Sequence, residues 1–298
     1  MLQPAPAAMA QQAVRGAKVQ QRGLSSAALI KKAQSAMRAG DFAAAAGHLR
    51  WAERRAGRNV RVLDDVFYYR ATLAAHQGDY DGAAKALLAR LVRAERRLGD
   101  DRAFWIHNAL MMVRTAQGDL AAALAESDEA TRFGRRARFQ PAGMSRAQLV
   151  EMKDLWHRAY LLRMMAAQRR GNRQAALLRY AEAARVAYRR LAAPQPKYQD
   201  SIAVLDGLFA ALAGDKRAAL RAARRVKVAE NGDFEDLFLT AAAFWAGGAK
   251  DAAKAIQERI EQSEDVYLAR PIMLRWLATL RSATPQAEFT PLFPSAGR

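Results

Sequence analysis

Side chains able to do chemistry are few in this chain and widely scattered. His48, His76, His107 and His157 are the four histidines among 298 residues, and there is no cysteine. None stands in the H-E-x-x-H spacing that sets two imidazoles on one helical face. Without thiolates there is no cysteine-ligated zinc, iron–sulfur cluster, disulfide or thiol nucleophile. The histidines therefore read as helix-surface or satisfied core residues. The acidic pairs Asp64-Asp65 and Asp100-Asp101 read as helix starts, where carboxylates compensate the positive end of the helix dipole. No glycine-rich stretch has phosphate-binding spacing, because the glycines recur at helix turns instead. The expectation is a non-enzymatic protein with no cofactor, no metal site and no catalytic residue. A site assembled by packing distant segments is the open alternative.

What the chain does have is arginine. It carries 48 basic and 29 acidic residues, a formal charge of +19, with 51% hydrophobic and 26% charged side chains. That composition folds, and no apolar run approaches the ~18 residues of a membrane span. Up to Lys227 the net charge is +22 and beyond it −3, while residues 130 to 198 alone carry +13. Arg50 and Arg54, Arg93 and Arg97, Arg132 and Arg136, Arg185 and Arg189, and Arg221 and Arg225 are i, i+4 pairs. Cations late in a helix are favoured by its dipole, whereas like charges one turn apart repel by a similar few tenths of a kcal/mol. Stability alone leaves the pattern unexplained. A basic ridge of Arg136, Arg173, Arg179, Arg185, Arg189, Arg190, Arg221 and Arg225, interleaved with Tyr180 and Tyr188, is the candidate surface for a polyanion.

The elements that must position these residues repeat. Gly40-Asp41, Gly78-Asp79, Gly118-Asp119, Gly171-Asn172, Gly214-Asp215 and Gly248-Ala249 each end one alanine-rich helical pattern and begin another. Five residues after each glycine stands an alanine: Ala45, Ala83, Ala123, Ala176, Ala219 and Ala253. Glycine ends the first helix in the left-handed region, the next Asp or Asn caps the second, and the small residue lets the backbones approach. The product is an αα-hairpin. The widest interval holds Arg135-Arg136-Ala137-Arg138-Phe139-Gln140-Pro141-Ala142-Gly143, which reads as a loop, and then Ser145-x-x-Gln148, a capping box that predicts a long helix over about 146 to 170.

This pattern resembles the tetratricopeptide repeat. Gly78-Asp79-Tyr80-Asp81-Gly82-Ala83 is similar to that family's turn, and Ala33, Ala71, Gly207 and Ala241 match its small residue seven before the glycine. The helix-ending proline is absent, and the glycines are 38, 40, 53, 43 and 34 residues apart where regular repeats recur every 34. The resemblance implies an all-α fold: a right-handed superhelical solenoid of about six antiparallel helix-turn-helix hairpins over residues 25 to 281, ending in a capping helix from 266. Residues 1 to 24 are expected to form a flexible basic arm, with an organellar presequence as the alternative, and 282 to 298 an irregular tail.

The resemblance also implies a concave groove lined by the first helix of each hairpin. Carried over residue by residue, it includes Tyr68, Tyr69, Thr72, Asn108, Met112, Met165, Phe238 and Trp245. Met and aromatic side chains there suit an apolar helix or extended peptide, and burial of the same residues as core is the equal alternative. The expected function is a scaffold or adaptor in the cytoplasm that holds a protein or peptide partner with an acidic surface. Binding of RNA or DNA by the arginine ridge is the second reading.

Overall fold

In a computed structural model of the chain, residues 24–141, 143–226, 234–262 and 268–274 are described, and they contain α-helix and no strand. Twelve helices follow one another: α1 (Ser26–Arg38), α2 (Phe42–Ala56), α3 (Val60–His76), α4 (Tyr80–Arg97), α5 (Asp100–Ala116), α6 (Leu120–Arg136), α7 (Arg146–Ala167), α8 (Gly171–Ala192), α9 (Gln199–Leu212), α10 (Lys216–Ala223), α11 (Phe234–Gly247) and α12 (Lys250–Gln262). A short 3-10 turn, Pro196–Tyr198, precedes α9. Residues 269–274 are also helical. The arm and the tail expected at the two ends lie outside the described residues.

Consecutive helices pack as pairs, α1 on α2, α3 on α4, and onward to α11 on α12. The turns are built as the sequence implies. Gly78 has φ +75, a conformation open to glycine without a Cβ penalty. The Asp79 N–H then donates to the Ala74 carbonyl at 2.9 Å, consuming an acceptor that the end of α3 leaves over. The Asp79 carboxylate turns to accept the Gly82 N–H at 2.8 Å and caps α4. Asp41, Asp119 and Asp215 cap α2, α6 and α10 in the same way. Asn172 does not: α8 already starts at Gly171, with Arg170 ahead of it and no side-chain cap. Ala45, Ala83, Ala123, Ala219 and Ala253 are fully buried where paired helices cross, while Ala176 is half-buried. Ser145 and Gln148 form the expected capping box at the start of α7.

First helices of successive pairs touch where they are α1 and α3, α7 and α9, or α9 and α11. Between α3, α5 and α7 such contact is sparse, and the inner face opens there. One expectation needs revising at this place. Asp64 and Asp65 do not start a helix, because α3 begins at Val60, capped by Asn59, and carries them one turn inside. Asp64 consequently points into the protein, where it is 1% exposed.

Candidate functional site

The opening between α3, α5 and α7 is a cavity of about 420 Å³. From α3 it receives Tyr68 and Tyr69, from α5 Trp105, Asn108 and Met112, and from α7 Lys153 and His157. Asp65, Arg90 of α4 and Arg102 of α5 also line it, and Leu268 and Ala269 add a wall from a distant part of the chain.

Electrostatically the cavity rests on one buried carboxylate. Asp64 accepts from Arg90 Nε at 2.5 Å and Nη2 at 3.0 Å, and from Arg102 Nε at 2.6 Å. Arg90 is 5% exposed, and its guanidinium also lies 5.1 Å from the Tyr68 ring centroid. Burial, then the neighbouring Asp64 charge, raises the pKa of Asp65 above the ordinary carboxylate value. Lys153 differs from both arginines. It is half-buried, its ammonium stands 5.7 Å from the Trp105 ring, and it has no acidic partner among the described residues. Among the described residues, three cations, Arg90, Arg102 and Lys153, face two carboxylates, Asp64 and Asp65, at this cavity. His157 adds no cation, since burial and then Lys153 lower its pKa to about 3. Its Nδ1 lies 3.2 Å from Ser127 Oγ in a pair that ties α7 to α6. An apolar wall with a few fixed polar groups and the Lys153 ammonium suits a ligand with an apolar body and an acidic group.

Of the groove residues implied by the resemblance, Tyr68, Tyr69, Asn108 and Met112 meet in this cavity. The Tyr68 hydroxyl accepts the Leu268 N–H at 3.3 Å, and Tyr69 accepts from Gln34 of α1. Asn108 Nδ2 donates to the Phe104 carbonyl at 2.7 Å. Thr72 is buried and returns its hydroxyl to the Tyr68 carbonyl. Phe238 is core, Met165 packs against the core, and Trp245 is half-buried, all three away from the cavity. Trp105, Lys153, Arg90 and Arg102 are lining residues that the repeat pattern passes over. One of the four, Arg90, carries a readable signal together with its partner Asp64. Asp64 lies three before Phe67 on the apolar face of α3, and Arg90 follows Ala83 and Leu87 on the apolar face of α4. A charge on a buried stripe needs a partner of opposite sign.

The arginine ridge separates into two groups. Arg185 donates to Glu182 and, at 2.6 Å, to Asp206 of α9, and Arg189 bonds the other oxygen of Asp206. Arg136 pairs with Asp100 at 3.2 Å and lies 4.9 Å from the Phe133 ring. Arg132 covers the same ring at 4.4 Å, so this i, i+4 pair brackets an aromatic. Arg173, Arg179 and Arg190 on α8, with Arg221 and Arg225 at α10, are exposed and have no acidic partner among the described residues. Tyr180 on α8 is 66% exposed. Tyr188 is not part of the ridge, being buried against Trp156 with ring centroids 5.3 Å apart.

Among the described residues no helix is long and apolar enough to cross a membrane, and no three His, Asp or Glu side chains cluster as a metal set. Comparison with protein-family models gives no match, and comparison with curated proteins gives none either.

Proposed function

We propose that the chain is a non-enzymatic adaptor of the tetratricopeptide type, a right-handed solenoid of six hairpins that holds an acidic protein or peptide segment on its inner face. On this reading it is a cytoplasmic member of a larger assembly. The observation that carries the reading is Lys153. Lys153 has no carboxylate partner among the described residues and stands beside Trp105 at the cavity that Tyr69 and Met112 also line, so an incoming acidic side chain meets a cation that is not yet neutralised. Trp and Tyr are the side chains that most often anchor such interfaces. The test is a crosslinking pull-down at physiological salt with nuclease treatment. The wild-type chain is expected to retain a protein partner after nuclease, and a Lys153→Gln, Trp105→Ala variant of unchanged helicity is expected to lose it. Undiminished capture by the variant sinks the assignment.

A second reading, nucleic-acid binding, draws on one observation: Tyr180 stands exposed beside unpaired Arg179, with Arg173 and Arg190 on the same helix. An aromatic face with flanking cations suits a stacked base and its phosphates. Affinity for single-stranded RNA should then fall by roughly 20-fold between 50 and 200 mM salt, and Arg179→Glu with Arg190→Glu should abolish it. A salt-independent or variant-independent affinity rejects the reading.

A further inference from the structure

The residues that close the inner face are the chain's own, and they disclose what kind of partner that face accepts. Leu268 gives its backbone N–H to the Tyr68 hydroxyl across 200 positions of sequence. Pro271, Ile272 and Met273 follow it into burial on a helical turn. Pro271 and Leu274 come to rest over Ala75, His76, Gln77 and Gly78, the last turn of α3. An apolar helical turn thus lies along α3 from Tyr68 to Gly78. In a stack of repeats, each hairpin is normally covered by its neighbours in sequence. Here the second pair is covered by a segment from beyond the twelfth helix.

The fit is incomplete. A space of about 290 Å³ remains under Pro271 and Leu274, and the 420 Å³ cavity remains beside Leu268 and Ala269. Among the described residues His76 Nε2 is buried without a hydrogen-bond partner. Open space on both flanks leaves apolar surface of the face to water, and an imidazole nitrogen without a partner among the described residues adds a further cost. A better-filling helix on the same face relieves both.

Resting on the adaptor reading, we infer that the α3 face docks a short apolar helix of the pattern Leu-x-x-Pro-Ile-Met. Residues 268–274 are its resident ligand, and an external partner helix of that chemistry replaces them. The tether gives the resident segment an effective concentration that a free helix must exceed. Binding in trans is therefore weakened, not abolished, in the intact chain and strengthens when the segment is released.

The absence of native cysteine allows the full-length chain to be locked and released. Gln77→Cys and Leu274→Cys border the same space and can be joined by a short, reducible bis-thiosulfonate. The probe is a fluorescein-labelled, end-capped synthetic peptide of residues 268–281, followed by anisotropy. The locked chain is expected to bind the probe at least tenfold more weakly than the same chain after reduction. A separate Ile272→Asp, Met273→Asp chain is expected to bind it at least tenfold more tightly than wild type. Equal binding by locked and reduced chains overturns resident occupancy, and so does a released chain of native helicity that fails to bind the probe. Either failure is separate from that of the adaptor reading, which stands or falls on capture by the Lys153→Gln, Trp105→Ala variant. If the double-aspartate chain loses helicity, the locked and reduced pair alone decides.

Discussion

Arg90 holds Asp64 through two parallel N–H···O bonds of 2.5 and 3.0 Å, with both side chains withdrawn from water. The pair joins α4 to α3, and through Arg102 it reaches α5, so one carboxylate fixes three helices around the cavity. Removing one member of a buried pair strands the other's charge, at a cost of about 3–5 kcal/mol. Asp64→Asn should show that loss in urea denaturation. Arg102→Gln, whose side chain is 40% exposed, should lose no more than about 1 kcal/mol. Similar small losses in both would show that Asp64 is not the anchor.

Two helical glycines should respond in opposite directions to the same change. A Cβ on Gly134 of α6 would stand 2.8 Å from Phe104 Cδ2 and Val150 Cγ2, so Gly134→Ala overpacks the contact with α5 and α7 by about 1–3 kcal/mol. Gly47 of α2 has nothing within 4 Å of such a Cβ, and Gly47→Ala should gain about 0.5–1 kcal/mol from helix propensity. Denaturation midpoints of the two variants on opposite sides of wild type are the expected result.

Stability should decline on mild acidification. Burial is the leading cause that lowers the pKa of His157 to about 3 and of His76 to about 4, with Lys153 and Arg270 respectively adding to it. Unfolded, each takes up a proton near pH 6.5. The unfolded chain binds more protons below that value, so the stabilisation is complete above pH 6.5 and drains away as the pH falls toward the folded-state values. Melting temperature should drop between pH 6.5 and 5, by roughly 2–4 °C per kcal/mol lost. His157→Gln should flatten that slope, and an unchanged slope would mean that His157 is not a source of it.

Asp206 restrains two of the arginines of α8. Asp206→Asn leaves Arg185 with Glu182 alone and frees Arg189 altogether. Retention on immobilised heparin should then extend to higher salt, with stability altered by no more than about 1 kcal/mol because the pairs are partly exposed. Unchanged elution would show that the cations of this face do not act as one surface.

Helical pairing was readable because its determinants are local. Gly78, Asp79 and Ala83 lie within six residues, and each has one job that can be assigned from its type. The groove was readable only in part. Tyr68, Asn108 and Met112 reach it because α3, α5 and α7 spread apart, whereas Phe238 occupies an equivalent register on α11 and is closed in by α9 and α10. Register along a helix places a side chain on a face, and neighbouring helices decide whether that face stays open. Arginine pairing was the least legible. Spacing places Arg185 and Arg189 on one side of α8, but Asp206 lies beyond the Pro194–Pro196 break, and nothing in its local sequence points back to them. The expected C-terminal cap likewise shows, in its described part, a contact with α3 that no local pattern contains.

That contact also sets an order of events during synthesis. Helices α1 to α12 can each find their main partner within a few dozen residues of emerging from the ribosome. The stretch of α3 around Tyr68 waits longer, since Leu268, whose N–H the Tyr68 hydroxyl accepts, is made two hundred residues later. Throughout that interval its apolar surface stays wet, as a sticky intermediate open to aggregation or to early capture. A chain interrupted before Leu268 keeps the turn and cap residues of the twelve helices but lacks the N–H that the Tyr68 hydroxyl accepts.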